Sequence, residues 1–233
     1  MAPGVILISR VKCKLPLHHC LLTFDDGPAG TVTEELLAVL REFGVKACFC
    51  VVGSQVMARP EQVRAIAGDG HLLVNHTFHH RFGDLWDSNR LQSDLVMCDE
   101  AVASAMGNPV RPLSWFRPPF GLLTGAVREI ARKRSVLPIT HFAFDTWFNS
   151  PQTTRPAEWI VKNAGRRGGG IYILHDGLVS HPILDLLRST PYRGWVPEAV
   201  RQILVKLFAS GFYFPEPSIA LLGIADFGFR LSE

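Results

Sequence analysis

Short apolar segments of strand type alternate with segments of helical periodicity along most of the chain, and polar residues capable of chemistry follow several of the strand segments. These residues are Asp25, Asp26, His76, His80, Arg117, Asp145 and His175. Such alternation is typical of a parallel sheet with crossover helices. In a βα barrel the carboxyl ends of the strands meet on one face, where the active site lies. The sequence therefore predicts an α/β fold, a (β/α) barrel of about seven strands with its site at those ends.

The composition favours one folded unit. The chain has 233 residues, 47% of them hydrophobic, and a formal net charge of +3. This length suits a single domain, and the apolar content excludes a disordered chain. We expect residues 1–233 to form one catalytic domain and a monomer. The chain has no long basic run, so a nucleic-acid partner is not expected. It also lacks an apolar run of the roughly 18 residues that a membrane span needs.

The five cysteines do not indicate a metal site. Cys48 and Cys50 lie in an apolar run, where a buried thiol behaves as a small hydrophobic residue. A Cys-x-Cys pair without a second pair nearby is a poor zinc site. Cys13 and Cys20 could close a small loop, but their spacing does not require it.

Local signals predict several helix ends. Residues 31–34 have the form of a capping box, and Pro60 fits the first turn of a helix. Gly107 should end a long helix, and Thr124 should cap the next one.

Two adjacent carboxylates, Asp25 and Asp26, follow the apolar end of a strand and precede a Gly-Pro chain break. Neighbouring residues at the mouth of a strand point in different directions. One carboxylate could therefore bind a cation while the other handles protons. The alternative is an ordinary turn, since Asp, Gly and Pro are common turn residues.

His76 and His80 are four residues apart, so one helical turn would place both imidazoles on the same side. Two histidines and a carboxylate form a catalytic zinc shell that leaves one position for water. A structural or solvent-facing pair is the alternative, which the nearby Asp-Asp turn makes less favoured. His79 should point elsewhere and is not expected to be a ligand.

Four short motifs carry a resemblance to a known family. They are Thr-Phe-Asp-Asp-Gly-Pro at 23–28, His-Thr-Phe-His-His at 76–80, Arg-Pro-Pro-Phe-Gly at 117–121 and Leu-His-Asp at 174–176. In this order they resemble the polysaccharide deacetylase family, the fourth family of carbohydrate esterases. The similarity extends from about residue 20 to residue 222.

The resemblance implies a distorted (β/α) barrel hydrolase that removes acetyl groups from N-acetylated polysaccharide of the peptidoglycan or chitin type. By position, Asp26, His76 and His80 would hold a divalent metal, most often zinc. Asp25 would be the general base that takes a proton from the attacking water, and His175 the general acid that protonates the leaving amine.

The same resemblance implies roles for five further residues. Arg117 would pair with Asp25 and orient it. The backbone N–H of Phe120 would stabilise the oxyanion, and Leu174 would line the pocket for the acetyl methyl. The fourth motif of the family, an Asp followed closely by Trp, is irregular here because an extra residue separates Asp145 from Trp147. Asp145 would be the partner of His175, and Trp147 a wall of the acetyl pocket.

Three alternatives stay open on the sequence alone. The same metal chemistry would serve an O-deacetylase on xylan-like chains. The irregular fourth motif would also fit a degenerate relative that binds glycan without turnover, and a related hydrolase could act on a small cyclic amide. Trp86, Tyr192 and Trp195 could stack on sugars or pack internally. The polymeric substrates of the family indicate a secreted, periplasmic or cell-envelope location, with a cytoplasmic one as the alternative.

Overall fold

A computed structural model of the protein describes residues 6–7, 15–139, 141–142, 154–178 and 193–225. Within these residues the strands are β1 (Ile6–Leu7), β2 (His19–Asp25), β3 (Cys48–Val51), β4 (Leu72–Asn75), β5 (Trp115–Phe116), β6 (Leu122–Leu123), β7 (Ser135–Val136), β8 (His141–Phe142) and β9 (Gly169–His175). The helices are α1 (Thr31–Glu42), α2 (Gly53–Ala58), α3 (Pro60–Gly68), α4 (Ser88–Met106), α5 (Gly125–Ile130), α6 (Thr154–Arg167), α7 (Val196–Ala209) and α8 (Pro217–Ala225). Two short 3₁₀ helices span Phe82–Trp86 and Pro119–Gly121.

In the part of the chain that the structure describes, seven strands form one sheet in the order β7-β5-β4-β3-β2-β9-β8, and every neighbouring pair is parallel. The two edge strands, β7 and β8, are separated by only four residues in the chain. The five steps from Val136 to His141 can span at most about 18 Å. The two edges must therefore lie near each other, so the sheet is curled into an incomplete barrel. The predicted distorted (β/α) barrel of about seven strands is confirmed. Strands β1 and β6 form a separate antiparallel pair.

The two faces of the sheet bury different residues because successive side chains of a strand point to opposite faces. Leu22 and Phe24 of β2 pack into the large cluster shared with the helices. Leu21, Cys48 and Cys50 belong to a second cluster, which contains residues from the opposite face of these strands. The prediction that Cys48 and Cys50 are buried hydrophobic residues is confirmed, and burial raises the pKa of the Cys48 thiol to about 12.

Among the remaining cysteines, Cys20 is a buried free thiol, and Cys13 lies outside the described residues. None of the helices in the described parts of the chain is long and apolar enough to cross a membrane.

Three predicted helix ends are confirmed. Pro60 occupies the first turn of α3, the left-handed Gly107 ends α4 with φ of 65°, and the Thr124 hydroxyl accepts a hydrogen bond from the Val127 N–H at the start of α5. Each follows from the backbone preference or the capping capacity of the residue.

The predicted capping box at residues 31–34 is wrong. The residue that precedes α1 is Gly30, and its position carries no side-chain cap. The Glu34 side chain does not return to the start of its own helix: it accepts from Gln62 Nε2 of α3 at 2.8 Å, and Gln62 Oε1 accepts from the Gly30 N–H at 3.0 Å. A tertiary contact with α3 has therefore replaced the local cap. The Thr33 hydroxyl accepts from the Ala29 N–H at 2.7 Å and donates to Asp176 Oδ2 at 2.6 Å.

Candidate active site

The site begins where β2 ends. Asp25 is the last residue of β2, and in the sheet register it lies beside His175, the last residue of β9. Adjacent strands are about 5 Å apart, so the Cα atoms of Asp25 and His175 are neighbours at the carboxyl ends of their strands. The next residue, Asp26, has φ of 73°, a conformation that costs a non-glycine residue of order 1–3 kcal/mol. Thr77, His80 and Phe120 share this left-handed conformation, so unfavourable backbone is concentrated around one site.

His76 and His80 converge on Asp26, but by a different route from the predicted one. Residues 76–80 do not form a helical turn, because Thr77 and His80 have φ of 66° and 56°. The Thr77 hydroxyl closes the turn by accepting from the His80 N–H at 3.0 Å. The two imidazole rings lie 4.8 Å apart, and each Nε2 is 3.4 Å from Asp26 Oδ1.

The tautomer of His76 follows from its hydrogen bond. Its Nδ1 lies 2.7 Å from the carbonyl oxygen of Arg117, which can only accept, so Nδ1 carries a proton. In the neutral ring Nε2 then presents a lone pair towards Asp26. A backbone carbonyl on the far nitrogen is a common way to orient a metal-binding histidine.

Asp26, His76 and His80 fit a metal ion. One ligand atom from each lies within 4.8 Å of the other two. Asp26 Oδ1 is buried and has no hydrogen-bond partner among the described residues. A buried carboxylate oxygen without a hydrogen-bond donor in the described parts of the chain, with two imidazole nitrogens 3.4 Å away, is the donor set of a metal site. Three such ligands leave one position for water.

The electrostatics keep these groups in their ligand forms. Burial lowers the pKa of His80 to about 4, which outweighs the opposite effect of Asp26, so the imidazole is neutral at pH 7. Burial alone would raise the pKa of Asp26, but the neighbouring imidazoles, His80 foremost, hold it below its ordinary value. At neutral pH the site therefore contains a carboxylate and at least one neutral imidazole.

Arg117 fixes Asp25 from inside the barrel. Its Nη1 donates to Asp25 Oδ1 at 2.5 Å and to the Thr23 hydroxyl at 2.8 Å, and both charged side chains are almost completely buried. Asp25 Oδ2 lies 3.6 Å from His76 Nε2. One carboxylate oxygen is thus held by arginine, and the other lies beside the cation-binding group.

The remaining predicted site residues are Phe120, Leu174, Asp145 and Trp147. The ring of Phe120 lies 4.7 Å from that of His80, so the 3₁₀ turn Pro119–Gly121 borders the site. Leu174 is fully buried and belongs to the cluster shared with the helices, together with Phe24, its partner in the sheet register. It precedes His175 directly, and neighbouring strand residues face opposite sides. Asp145 and Trp147 lie outside the described residues.

Two carboxylates that support the turn at residues 76–80 were not among the site residues predicted from the sequence. Asp94 of α4 accepts hydrogen bonds from the N–H groups of Phe78 and His79, both at 3.0 Å, and contacts His79 Nδ1 at 2.6 Å. Asp99 accepts from Asn75 Nδ2 at 2.8 Å, directly before His76. The signal was present in the sequence, because both acids fall on the buried stripe of α4 that carries Leu91, Leu95 and Val102.

Replacing Asp94 by alanine is expected to weaken zinc affinity roughly 10- to 100-fold, the usual cost of losing a group that orients a metal ligand. The reason is that residues 78 and 79 would lose three hydrogen bonds that shape the turn between His76 and His80. The measurement is a competition titration of metal-free protein with a chelating dye. Glu100→Ala, an exposed acid of the same helix, should leave the affinity unchanged; an equal loss in both variants would contradict the role of Asp94.

Asp176 predicts a dependence of stability on pH. It is fully buried, and burial, opposed by the Thr33 hydrogen bond, raises its pKa to about 7. The folded state therefore binds a proton that the unfolded state has released, between about pH 4 and pH 7. As the pH rises from about 4 to about 7, the free energy of unfolding should therefore fall by up to about 1.4 kcal/mol per pH unit.

Urea denaturation of the chelated protein at pH 5 and pH 8 measures this effect. Asp176→Asn should be more stable relative to the native sequence at pH 8 than at pH 5, whereas Glu100→Gln should show no such change. A stability difference for Asp176→Asn that is the same at both pH values would contradict the raised pKa.

The fold and the site define a class: a metal-dependent hydrolase built at the carboxyl ends of a parallel half-barrel. A sequence profile described as "Polysaccharide deacetylase" matches residues 14–138, more than half of the chain. A Bacillus cereus peptidoglycan-N-acetylglucosamine deacetylase is 31% identical over 67% of this chain and 71% of its own. A chitooligosaccharide deacetylase of Rhizobium leguminosarum bv. trifolii is 31% identical over 84% of this chain and 88% of its own.

A solved structure of similar fold is a family 4 acetyl xylan esterase from Clostridium thermocellum in complex with a cobalt ion. It has a TM-score of 0.72 and 24% identity, and the match covers 87% of this chain and 90% of that one. The chain belongs to the polysaccharide deacetylase family, the fourth family of carbohydrate esterases. Members of this family depend on a divalent metal. The family predicted from the four motifs is confirmed.

Proposed function

We propose that this protein hydrolyses the acetamido groups of an N-acetylated polysaccharide of the peptidoglycan or chitin type and releases acetate. The observation that carries the proposal is the convergence of Asp26, His76 and His80 beside the buried Asp25–Arg117 pair. The substrate class is supported by the Bacillus cereus peptidoglycan-N-acetylglucosamine deacetylase and the Rhizobium chitooligosaccharide deacetylase, to which the chain is similar.

Asp26, His76 and His80 would hold the divalent cation, for which we propose zinc. Two imidazoles and one carboxylate are a common zinc donor set in catalytic sites. When bound, the cation polarises the acetyl carbonyl and lowers the pKa of water at its open position. The backbone N–H of Phe120 is proposed to donate a hydrogen bond to the oxygen that becomes negative in the transition state.

Asp25 is the proposed general base. Because Arg117 holds Oδ1, the second oxygen faces the side of His76 and can accept the proton of the attacking water. The ion pair also prevents the carboxylate from rotating away. A positioned base of this kind contributes about 10²–10⁴-fold to the rate.

His175 is the proposed general acid. An amide nitrogen is a poor leaving group until it is protonated, and His175 starts from the strand beside Asp25. Asp145 as its partner and Trp147 as a wall of the acetyl pocket stay predictions. For the methyl contact we propose Ile173 in place of Leu174, because Ile173 shares a strand face with His175.

Acetate release from zinc-loaded protein tests the proposal, with chitotetraose, peptidoglycan fragments and acetylated xylan oligosaccharides as substrates. Release from the first two is expected. Release from xylan alone would assign O-deacetylation, and sugar binding without any release would assign a glycan-binding relative. Hydrolysis of a small cyclic amide alone would assign the third alternative. A single catalytic domain, a monomer and a location outside the cytoplasm stay predictions.

A further inference from the structure

A row of three aromatic rings extends outward from the metal site. The Phe120 ring lies 4.7 Å from the His80 ring, the Phe82 ring 5.3 Å from Phe120, and the Trp86 ring 4.6 Å from Phe82. We call Phe120, Phe82 and Trp86 the aromatic row. Its inner end touches a proposed metal ligand. Its outer two side chains are 48% and 51% exposed.

The outer part of the row is held in place by its own backbone. Phe82 and Trp86 are the first and last residues of a single 3₁₀ turn, and Leu85 within that turn is fully buried. The Thr124 hydroxyl donates to the carbonyl of Leu85. Asp87 directly afterwards caps α4 by accepting from the N–H groups of Asn89 and Arg90. The two exposed rings are therefore presented by an anchored segment.

Two large aromatic side chains exposed side by side need an explanation. Single exposed apolar residues are normal, whereas Phe82 and Trp86 are neighbours, 4.6 Å apart, and adjoin the candidate active site through Phe120. The row is continuous with the candidate active site, so its occupant must also extend from that site. A polymeric substrate does so, because the sugar units on either side of the reacting one must lie on the rim.

We propose that Phe82 and Trp86 bind the face of a sugar unit next to the one being deacetylated, an inference that rests on the proposed function. Pyranose rings with equatorial substituents expose faces of C–H groups, which are apolar and slightly electropositive. Aromatic faces are apolar and electronegative, so the two surfaces complement each other. The substrate class is a chain of at least two or three such units, with the row extending the affinity beyond the single acetylated sugar.

The test measures binding without turnover, so it does not depend on acetate release. Zinc-loaded Asp25→Asn protein is titrated calorimetrically with N-acetylglucosamine oligomers of one to five units. Phe82→Ala and Trp86→Ala are then added separately and together. The matched control is Phe208→Ala, a 41% exposed phenylalanine of α7 that packs on Phe43.

The ratio of the monomer Kd to the pentamer Kd is the readout. In the double variant it should shrink about 10-fold or more, and in Phe208→Ala it should not change. An unchanged ratio would overturn the proposal, whether the two Kd values stay as they were or rise by the same factor. Sedimentation could instead show a dimer that the double variant does not form. With the sugar affinity unchanged, that result would overturn the proposal and show that the aromatic row binds a second copy of the chain. If the native sequence releases acetate from a short substrate while the Kd ratio is unchanged in the double variant, the binding role of the aromatic row is rejected and the proposed function still stands.

Discussion

Asp25→Asn is expected to lower kcat/KM for acetate release by roughly 10³-fold while the protein retains its zinc. The amide oxygen of asparagine can still accept the hydrogen bond from Arg117, so the packing of the ion pair is largely kept. The amide cannot take a proton from water, however, and that step is the one assigned to Asp25. The measurement combines a coupled acetate assay with metal analysis of the same samples.

Asp69→Asn is the matched control, because Asp69 also pairs with an arginine, Arg41, but at the surface and away from the site. Its kcat/KM should equal that of the native sequence. An Asp25→Asn protein that keeps kcat/KM within a factor of ten would remove Asp25 from the mechanism. Loss of zinc together with activity would place Asp25 among the ligands instead of the bases.

Arg117→Met is expected to lower the free energy of unfolding by roughly 3–5 kcal/mol, because it leaves the carboxylate of Asp25 buried without its partner. Both side chains of this pair are nearly inaccessible, and Nη1 and Oδ1 are 2.5 Å apart. The Asp25→Asn/Arg117→Met double variant removes the orphaned charge and should recover part of the loss. Urea denaturation of zinc-loaded protein measures all three variants as a double-mutant cycle.

The control for this cycle is another Arg–Asp pair of similar length. Arg41 and Asp69 are 2.7 Å apart, but the Arg41 side chain is 62% exposed. Arg41→Met should cost no more than about 1 kcal/mol, since water and ions screen an exposed pair. Equal losses for the buried and the exposed pair would show that burial of Arg117 does not determine its contribution.

The sequence could predict the convergence of the site because parallel strands bring their carboxyl ends to one edge. That rule alone joins Asp25, His76 and His175, which are far apart in the chain. The details failed where tertiary contacts replaced local preferences. Left-handed backbone at Thr77 and His80, not a helical turn, brings the imidazoles together.

Two other features could not be derived from the sequence, for equally definite reasons. Leu174 was assigned by its place in a motif, whereas strand alternation turns it towards the helices. The aromatic row could not be predicted as a unit, because Phe120 is separated from Phe82 by the whole of α4 and β5. By contrast, Asp94 and Asp99 were visible as acids on the apolar stripe of a helix, a pattern that indicates buried and bonded carboxylates.

Metal content tests most directly the claim that Asp26, His76 and His80 share one cation. The native sequence, Asp26→Ala, His80→Ala and the exposed-histidine control His18→Ala are each loaded with zinc, dialysed and analysed by mass spectrometry alongside acetate release. We predict one zinc per chain and full activity in the native sequence and His18→Ala, with neither metal nor acetate release in the other two variants. One zinc per chain in Asp26→Ala and His80→Ala would contradict the account.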